Sequence, residues 1–554
     1  MRKRIGLTLP VALLLAAQLV SAEEALRVRE IHIEREDVFS PEEKLDDVPG
    51  LPDLTFIFEA ANFLHLETRE HVIRRELLFE EGDVVDPDKI AESERNIRSL
   101  PFVRGVRLLA RPVAPGVVDV FVFTRDTWTT EPRLSFSQGG GDSKEEYGIV
   151  EKNLFGLGKR IVLRYRSELD RSSNQALYDD PRLLGTRFRF AGNYEDTSDG
   201  RVAQTLLDYP FYALDTPWAG GIRYSSVRER QRLFGPGEEV LARFNHEQEL
   251  VEGRFGGLIS RSDDVVHRGG VFYRWLEDRF PEGAIGPRPD LEPTNRKESV
   301  PGIFYDRQVV SFIKERHLNL FDKIEDLNLG NVFHGEVGYS AQALGARLDE
   351  PIGLILDRQG FDLGPGQKAF LFGLVTSRYQ GGNLRNAVAE IEGISFNKVD
   401  LGLEHTFITR LKFDYGKNLD RDTQLFLGND NGLRGFPNRE FVGARRFIFN
   451  LEDRVFFVND LFHLVSLGAV VFFDSGYVWE RGDDVHPRDL VASAGIGLRI
   501  GIPRAAGEKV FRIDLAIPLT ANGGRQWEPA LSFGSGQAFS QFVGPFDLQT
   551  GSGE

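Results

Sequence analysis

The chain has 554 residues, no Cys and a formal net charge of −16. Without Cys no disulfide can staple the fold, so stability rests on packing and backbone pairing; the acidic balance argues against nucleic acid as a partner. Composition runs to 43 Phe, 13 Tyr and 58 Gly against one Met, and mean hydropathy is slightly negative, as fits strands that are apolar on one face only.

The first segment reads as a secretory leader. Arg2, Lys3 and Arg4 form a positive start, Ile5 to Val20 is mostly apolar, and Val20-Ser21-Ala22 offers a small-residue cleavage pattern before Glu23-Glu24. Residues 1–22 are therefore expected to be a signal peptide. No later stretch approaches the roughly eighteen consecutive apolar residues of a spanning helix. An exported chain of this kind is either soluble beyond the inner membrane or a barrel.

Residues 23–126 read as a small α+β unit. Leu26 to Glu34 is strand-like, and Thr68 to Phe79 carries Val72, Ile73 and Leu77 on one side. Asp86-Pro87 supplies an N-cap followed by Pro at the first helical position. Ile90, Ile97 and Leu100 give that helix its apolar stripe, and Pro101 ends it. Val103 to Ala110 and Val117 to Thr124 follow as strands, so the order is strand, helix, helix, strand, strand. Asp37 to Glu67 reads as an insert between the first strand and the first helix.

Residues 127–539 change to period-two alternation. Ile161, Leu163 and Tyr165 oppose Arg160, Arg164 and Arg166. Phe188, Phe190 and Tyr194 oppose Arg187, Arg189 and Asn193. Phe447, Phe449 and Leu451 oppose Arg446, Asn450 and Glu452; Val471, Phe473 and Tyr477 oppose Asp474 and Gly476; Phe511, Ile513 and Leu515 oppose Arg512 and Asp514. Segments of about ten residues, apolar outward and charged inward, match membrane-spanning strands around a hydrated lumen. Inside lipid every backbone group must be paired, so the expected fold is mainly β: a closed antiparallel transmembrane β-barrel of about 16 strands. Pro281 to Ser299 and Leu344 to Gln367 are expected to be long outer loops, and Phe155-Gly156-Leu157-Gly158 a short turn. Residues 540–554 form a C-terminal tail.

Several motifs of this region resemble the BamA/TamA family of outer-membrane assembly barrels (the bacterial surface antigen family). Phe426-Leu427-Gly428 and Leu433-Arg434-Gly435-Phe436 are similar to its conserved loop motif, and Phe472-Phe473-Asp474 to its Phe-x-Asp strand motif. Glu151-Lys152-Asn153-Leu154-Phe155-Gly156-Leu157-Gly158 resembles its second-strand signature; Tyr178-Asp179-Asp180-Pro181 and Asp208-Tyr209-Pro210-Phe211 resemble its early hairpins. Leu531-Ser532-Phe533-Gly534 with Phe539 resembles its last strand. The N-terminal unit resembles a POTRA domain, present once where well-known members have two to five.

The resemblance implies an outer-membrane barrel, POTRA-like unit in the periplasm, that assists insertion or translocation of polypeptides. Its implied partners are outer-membrane lipids, unfolded or extended polypeptide clients, and periplasmic chaperones or accessory lipoproteins. It also implies that Arg434 pins an extracellular loop inside the barrel. Alternation by itself points Glu452 and Asp474 into the lumen, where a loop delivering Arg434 would make a charge-assisted pair, Gly435 permitting the tight turn. The alternative is a surface Arg among ordinary lumen charges. Two other functions stay open: a two-partner-secretion-type transporter for one exoprotein, and a passive diffusion porin. Ten scattered His residues, no His-Glu-x-x-His and no Gly-x-Ser-x-Gly elbow give no catalytic, metal or cofactor site.

Overall fold

The computed structural model describes residues 25–40, 55–139, 142–168, 170–321, 323–507, 509–521 and 526–539. The expected leader 1–22 and the tail 540–554 lie outside the described residues.

The N-terminal unit is a three-stranded sheet covered by helices. Strand β1 (Arg27–Glu36) pairs in parallel with β3 (Val117–Asp126), and β2 (Val103–Ala114) pairs antiparallel with the other side of β3, so β1 and β2 are its edges. Helix α3 (Pro87–Ser99) starts where the sequence places it, with the Asp86 carboxylate accepting from the Asp88 and Lys89 amides. Ile31, Ile73, Ile97, Phe102, Val120 and Val122 centre the core. Two expectations need correction. The helix expected from Thr68 to Phe79 is the single turn α2 (Glu70–Arg74); Leu77 and Phe79 reach the core from the irregular chain that follows. The insert also holds a helix of its own, α1 (Thr55–Leu64).

The rest is one large antiparallel sheet. Among the described residues it has twenty strands, from Thr130–Gly139 to Ala530–Ser535, and the last lies beside the first, so the order returns on itself as a barrel. About sixteen strands is therefore too few. The difference arises where short turns join long strands: Ser262 to Asp264 separates Val240–Arg261 from Val265–Arg279, and Gly381-Gly382 separates Gln367–Gln380 from Asn383–Asp400. The expected loop from Leu344 to Gln367 is mostly strand, Glu350–Gly364. Outward-facing Leu163, Ile222, Val271, Ile391 and Val471 are exposed, while inward Glu252, Glu392, Glu452 and Asp474 are buried. The alternation thus sorts the two faces as the pleat requires.

The N-terminal unit sits against one rim, here the near rim. Trp128 exchanges backbone hydrogen bonds with Arg504 (2.7 Å) and Ala506 (2.8 Å), and the Arg69 amide donates to the Gly156 carbonyl at 2.9 Å. Arg182 pairs with Glu76 at 2.6 Å, and the Leu214 amide donates to Glu92 at 2.7 Å. From α1, Phe58 packs with Val38 and Phe39 onto Phe462 and Leu464 of another near-rim turn.

Candidate functional site: two loops meeting inside the barrel

The connection between Glu404–Lys417 and Arg445–Leu461 leaves from the far rim and folds into the interior. A short hairpin, Leu425–Leu427 with Phe441–Gly443, forms its neck. Its tip is held by apolar packing of Leu427, Leu433 and Phe436 against Ile448, Val478 and Val491. Gly435 has φ +89°, and a Cβ there would press on Ala516 at 3.1 Å, so the tip needs Gly for both backbone and space.

This packing delivers Arg434 to an acidic site built by three inward-facing strand residues. Its Nε donates to Asp474 Oδ2 at 2.7 Å and Nη2 to Asp474 Oδ1 at 2.8 Å, a two-pronged contact. Nη1 lies 2.7 Å from Glu452 Oε1 and 3.8 Å from Asp514 Oδ2. The guanidinium also stacks on the Phe472 ring, 3.5 Å from its centroid. Asn450 donates to Asp474 at 2.8 Å and to the Gly432 carbonyl at 2.7 Å, tying the loop backbone to the same wall.

The structure therefore brings together Leu433, Arg434, Gly435, Phe436, Glu452 and Asp474. It also recruits Phe472, of the Phe-x-Asp motif, and Asn450 and Asp514, which were not singled out as site residues but were visible as the polar members of their alternating strands. One physical expectation changes. A hydrated lumen would screen this site, but Glu452 and Asp474 are 0% exposed and Arg434 3%. The ions are enclosed by protein and depend on one another.

A second segment, unanticipated from sequence, enters from the near rim. Between Arg296–Val309 and Asn331–Ser340 the chain makes a short hairpin, Phe312–Glu315 with Glu325–Asn328, and a connecting turn. Leu318 and Leu327 pack on inward-facing Phe370, Ile394, Phe396 and Ile408. Phe321 packs against Phe456 and Val510. This apolar patch departs from the uniformly charged lumen that alternation suggested. Arg454 joins the two segments: its Nε donates to Glu452 Oε2 at 2.8 Å and its Nη1 to the Leu318 carbonyl at 2.9 Å. Phe539, expected on the last strand, instead turns inward into the same cluster, the strand itself ending at Ser535.

Helix α3 grips the near-rim segment. Arg98 makes a two-pronged pair with Asp326 at 2.5 and 2.9 Å, Lys314 pairs with Glu94 at 2.5 Å, and Arg95 lies over the Phe312 ring at 4.5 Å.

Residues 375–539 match the Omp85 superfamily domain. The chain is 35% identical over 124 residues to the outer membrane protein assembly factor BamA of Neorickettsia risticii (strain Illinois), a match covering 22% of this chain and 16% of that protein, so about one sixth of the relative's length. In structure it is similar to CdiB from Acinetobacter baumannii (TM-score 0.43, 13% identity, 93% of this chain and 74% of that one). It is also similar to BamA from Haemophilus ducreyi lacking POTRA domains 1–3 (TM-score 0.37, 14% identity, 92% and 84%). The stretch that matches the Omp85 superfamily domain carries Arg434 and all three of its carboxylate neighbours.

Proposed function

We propose that the chain is an outer-membrane β-barrel that assists the insertion of polypeptides at the seam between its last and first strands, with the POTRA-like residues 23–126 in the periplasm. The observation that carries this reading is a contrast within the barrel. The interior beside the C-terminal strands is filled from both rims, whereas the last strand, Ala530–Ser535, offers only six residues to hold the ring together. Unpaired backbone is costly in lipid, so a short seam is the joint that a client strand can most readily take over.

The N-terminal unit offers a second contact for an extended client. Strand β2 is a sheet edge with Leu109 and Val113 exposed, and an edge of this kind can take an added strand. Accessory periplasmic proteins and chaperones fit the same face. An exoprotein passing through the lumen, or a diffusing solute, would run past the segments around Leu318 and Arg434. The test is a disulfide tether, Leu318→Cys with Ile408→Cys, in a chain that has no Cys. Insertion at the seam tolerates the closed tether; lumenal passage is lost with it and returns on reduction.

A further inference from the structure

We infer that the near rim carries a binding surface for anionic phospholipid, built from the tips of two adjacent turns and two arginines of the N-terminal unit. It rests on the membrane-spanning reading of the barrel.

The two turns share one construction. In Leu154–Gly156 and Leu183–Gly185 the middle residue is bulky and apolar yet sits in the left-handed region: Phe155 at φ 57°, ψ 24° and Leu184 at φ 51°, ψ 25°. Side chains with a Cβ adopt that region at a cost. The following glycines are pressed by the N-terminal unit: a Cβ at Gly156 would strike the Glu67 carbonyl, and one at Gly185 the Arg75 guanidinium at 2.6 Å. The outcome is that Phe155 is 61% exposed and Leu184 92%. Two strained turns that each push a large apolar side chain out of the protein are not explained by the packing of the chain itself.

Their surroundings identify the occupant. Arg69 and Arg75 flank the tips, and neither meets a carboxylate among the described residues; Arg69 Nε donates only to the Phe155 carbonyl, at 3.2 Å. The nearby acids are engaged elsewhere, Glu67 with Arg35 at 3.4 Å and Glu70 with Arg74 at 2.9 Å. Beside the tips runs a chain of ring contacts, Phe188 to Tyr209 (5.3 Å), Tyr209 to Trp218 (4.2 Å) and Trp218 to Phe255 (6.1 Å). Phe188, Trp218 and Phe255 are exposed on the outer face, as in an aromatic girdle at the level of lipid headgroups. Apolar tips continuing that girdle, with uncompensated cations beside them, match an acyl chain and an anionic headgroup.

The test uses single-Cys variants of the full chain, Phe155→Cys and Leu184→Cys, labelled with an environment-sensitive fluorophore. They are reconstituted in vesicles of phosphatidylethanolamine and phosphatidylglycerol containing a headgroup-level spin-labelled lipid. Both labels should be blue-shifted and quenched, while a label at Arg29→Cys on the N-terminal sheet should not. The Arg69→Ser/Arg75→Ser variant should lose most of the co-purifying phosphatidylglycerol. Labels at 155 and 184 that report water overturn the inference, as do tips that become shielded only when a polypeptide client is added. Unchanged phosphatidylglycerol in the arginine variant overturns the headgroup assignment. A mid-strand label at Leu163→Cys separates the two readings, because its failure to be quenched sinks the membrane-spanning barrel itself.

Discussion

Arg434 and Arg454 meet on the two oxygens of one carboxylate. Arg434 reaches Glu452 Oε1 from the far-rim loop at 2.7 Å, and Arg454, itself bound to the Leu318 carbonyl of the near-rim segment, reaches Oε2 at 2.8 Å. Segments entering from opposite ends of the barrel are thus tied through a single buried side chain.

Replacing Arg434 by Ala should cost about 3–5 kcal/mol locally, because it strands buried carboxylates without their counter-charge. The sheet is otherwise untouched, so the variant should still insert, with the loop around residues 428–437 newly open to protease. Asp474→Asn should give a milder effect. Combining the two should be less than additive, since both act on one contact. Additive losses would show that the two residues act independently.

Glu452→Gln separates the shared carboxylate from the private one. It should raise protease cleavage in both interior segments, near residue 320 and near residue 434. Asp474→Asn should loosen only the second, because Asp474 contacts Arg434 and Asn450 but, among the described residues, nothing from the near rim. Limited proteolysis read by mass spectrometry distinguishes the patterns; equal patterns would break the link drawn through Glu452.

Gly501 gives access to the near-rim segment alone. A side chain at this position would strike the Phe321 ring. Gly501→Val should therefore expel Phe321, leave the barrel inserted, and raise ion conductance in planar bilayers above that of the wild type. Conductance unchanged, with the variant properly inserted, would mean that the segment does not obstruct the lumen.

Arg98→Ala removes a two-pronged pair between α3 and the same segment, worth about 1.5–3 kcal/mol for hydrogen bonds between charged groups. Amide exchange should quicken across residues 312–328 while the strands of the barrel keep their protection. Exchange confined to α3 would show that the helix does not steady the segment.

How far these features could be read in the sequence depends on what each residue type signals. Inward-pointing Glu452, Asp474 and Asp514 were legible because one residue in two is polar along their strands. Arg434 was legible only through its Leu-Arg-Gly-Phe setting; spacing alone cannot tell an inward loop from an outer one. The near-rim segment stayed hidden because its receptor is apolar. Phe370, Leu371 and Phe372 run together, with both faces of the strand apolar, and such a run masks the period of two. The strand number failed for a related reason: Gly381-Gly382 and Ser262 to Asp264 are too short to stand out between strands of fourteen to twenty-two residues. Helix α1 was missed because its burial is supplied by Phe462 and Leu464, four hundred residues away in the chain.

Entry of clients into the membrane at the seam is open to direct test by photo-crosslinking from two positions in native membranes. One probe replaces Leu531, outward-facing on the last strand and exposed; the other replaces Gln204, which faces the interior and bonds Asn193. Entry at the seam should give client adducts from position 531 and none from 204. Adducts from 204 with none from 531 would contradict it and point to passage through the lumen.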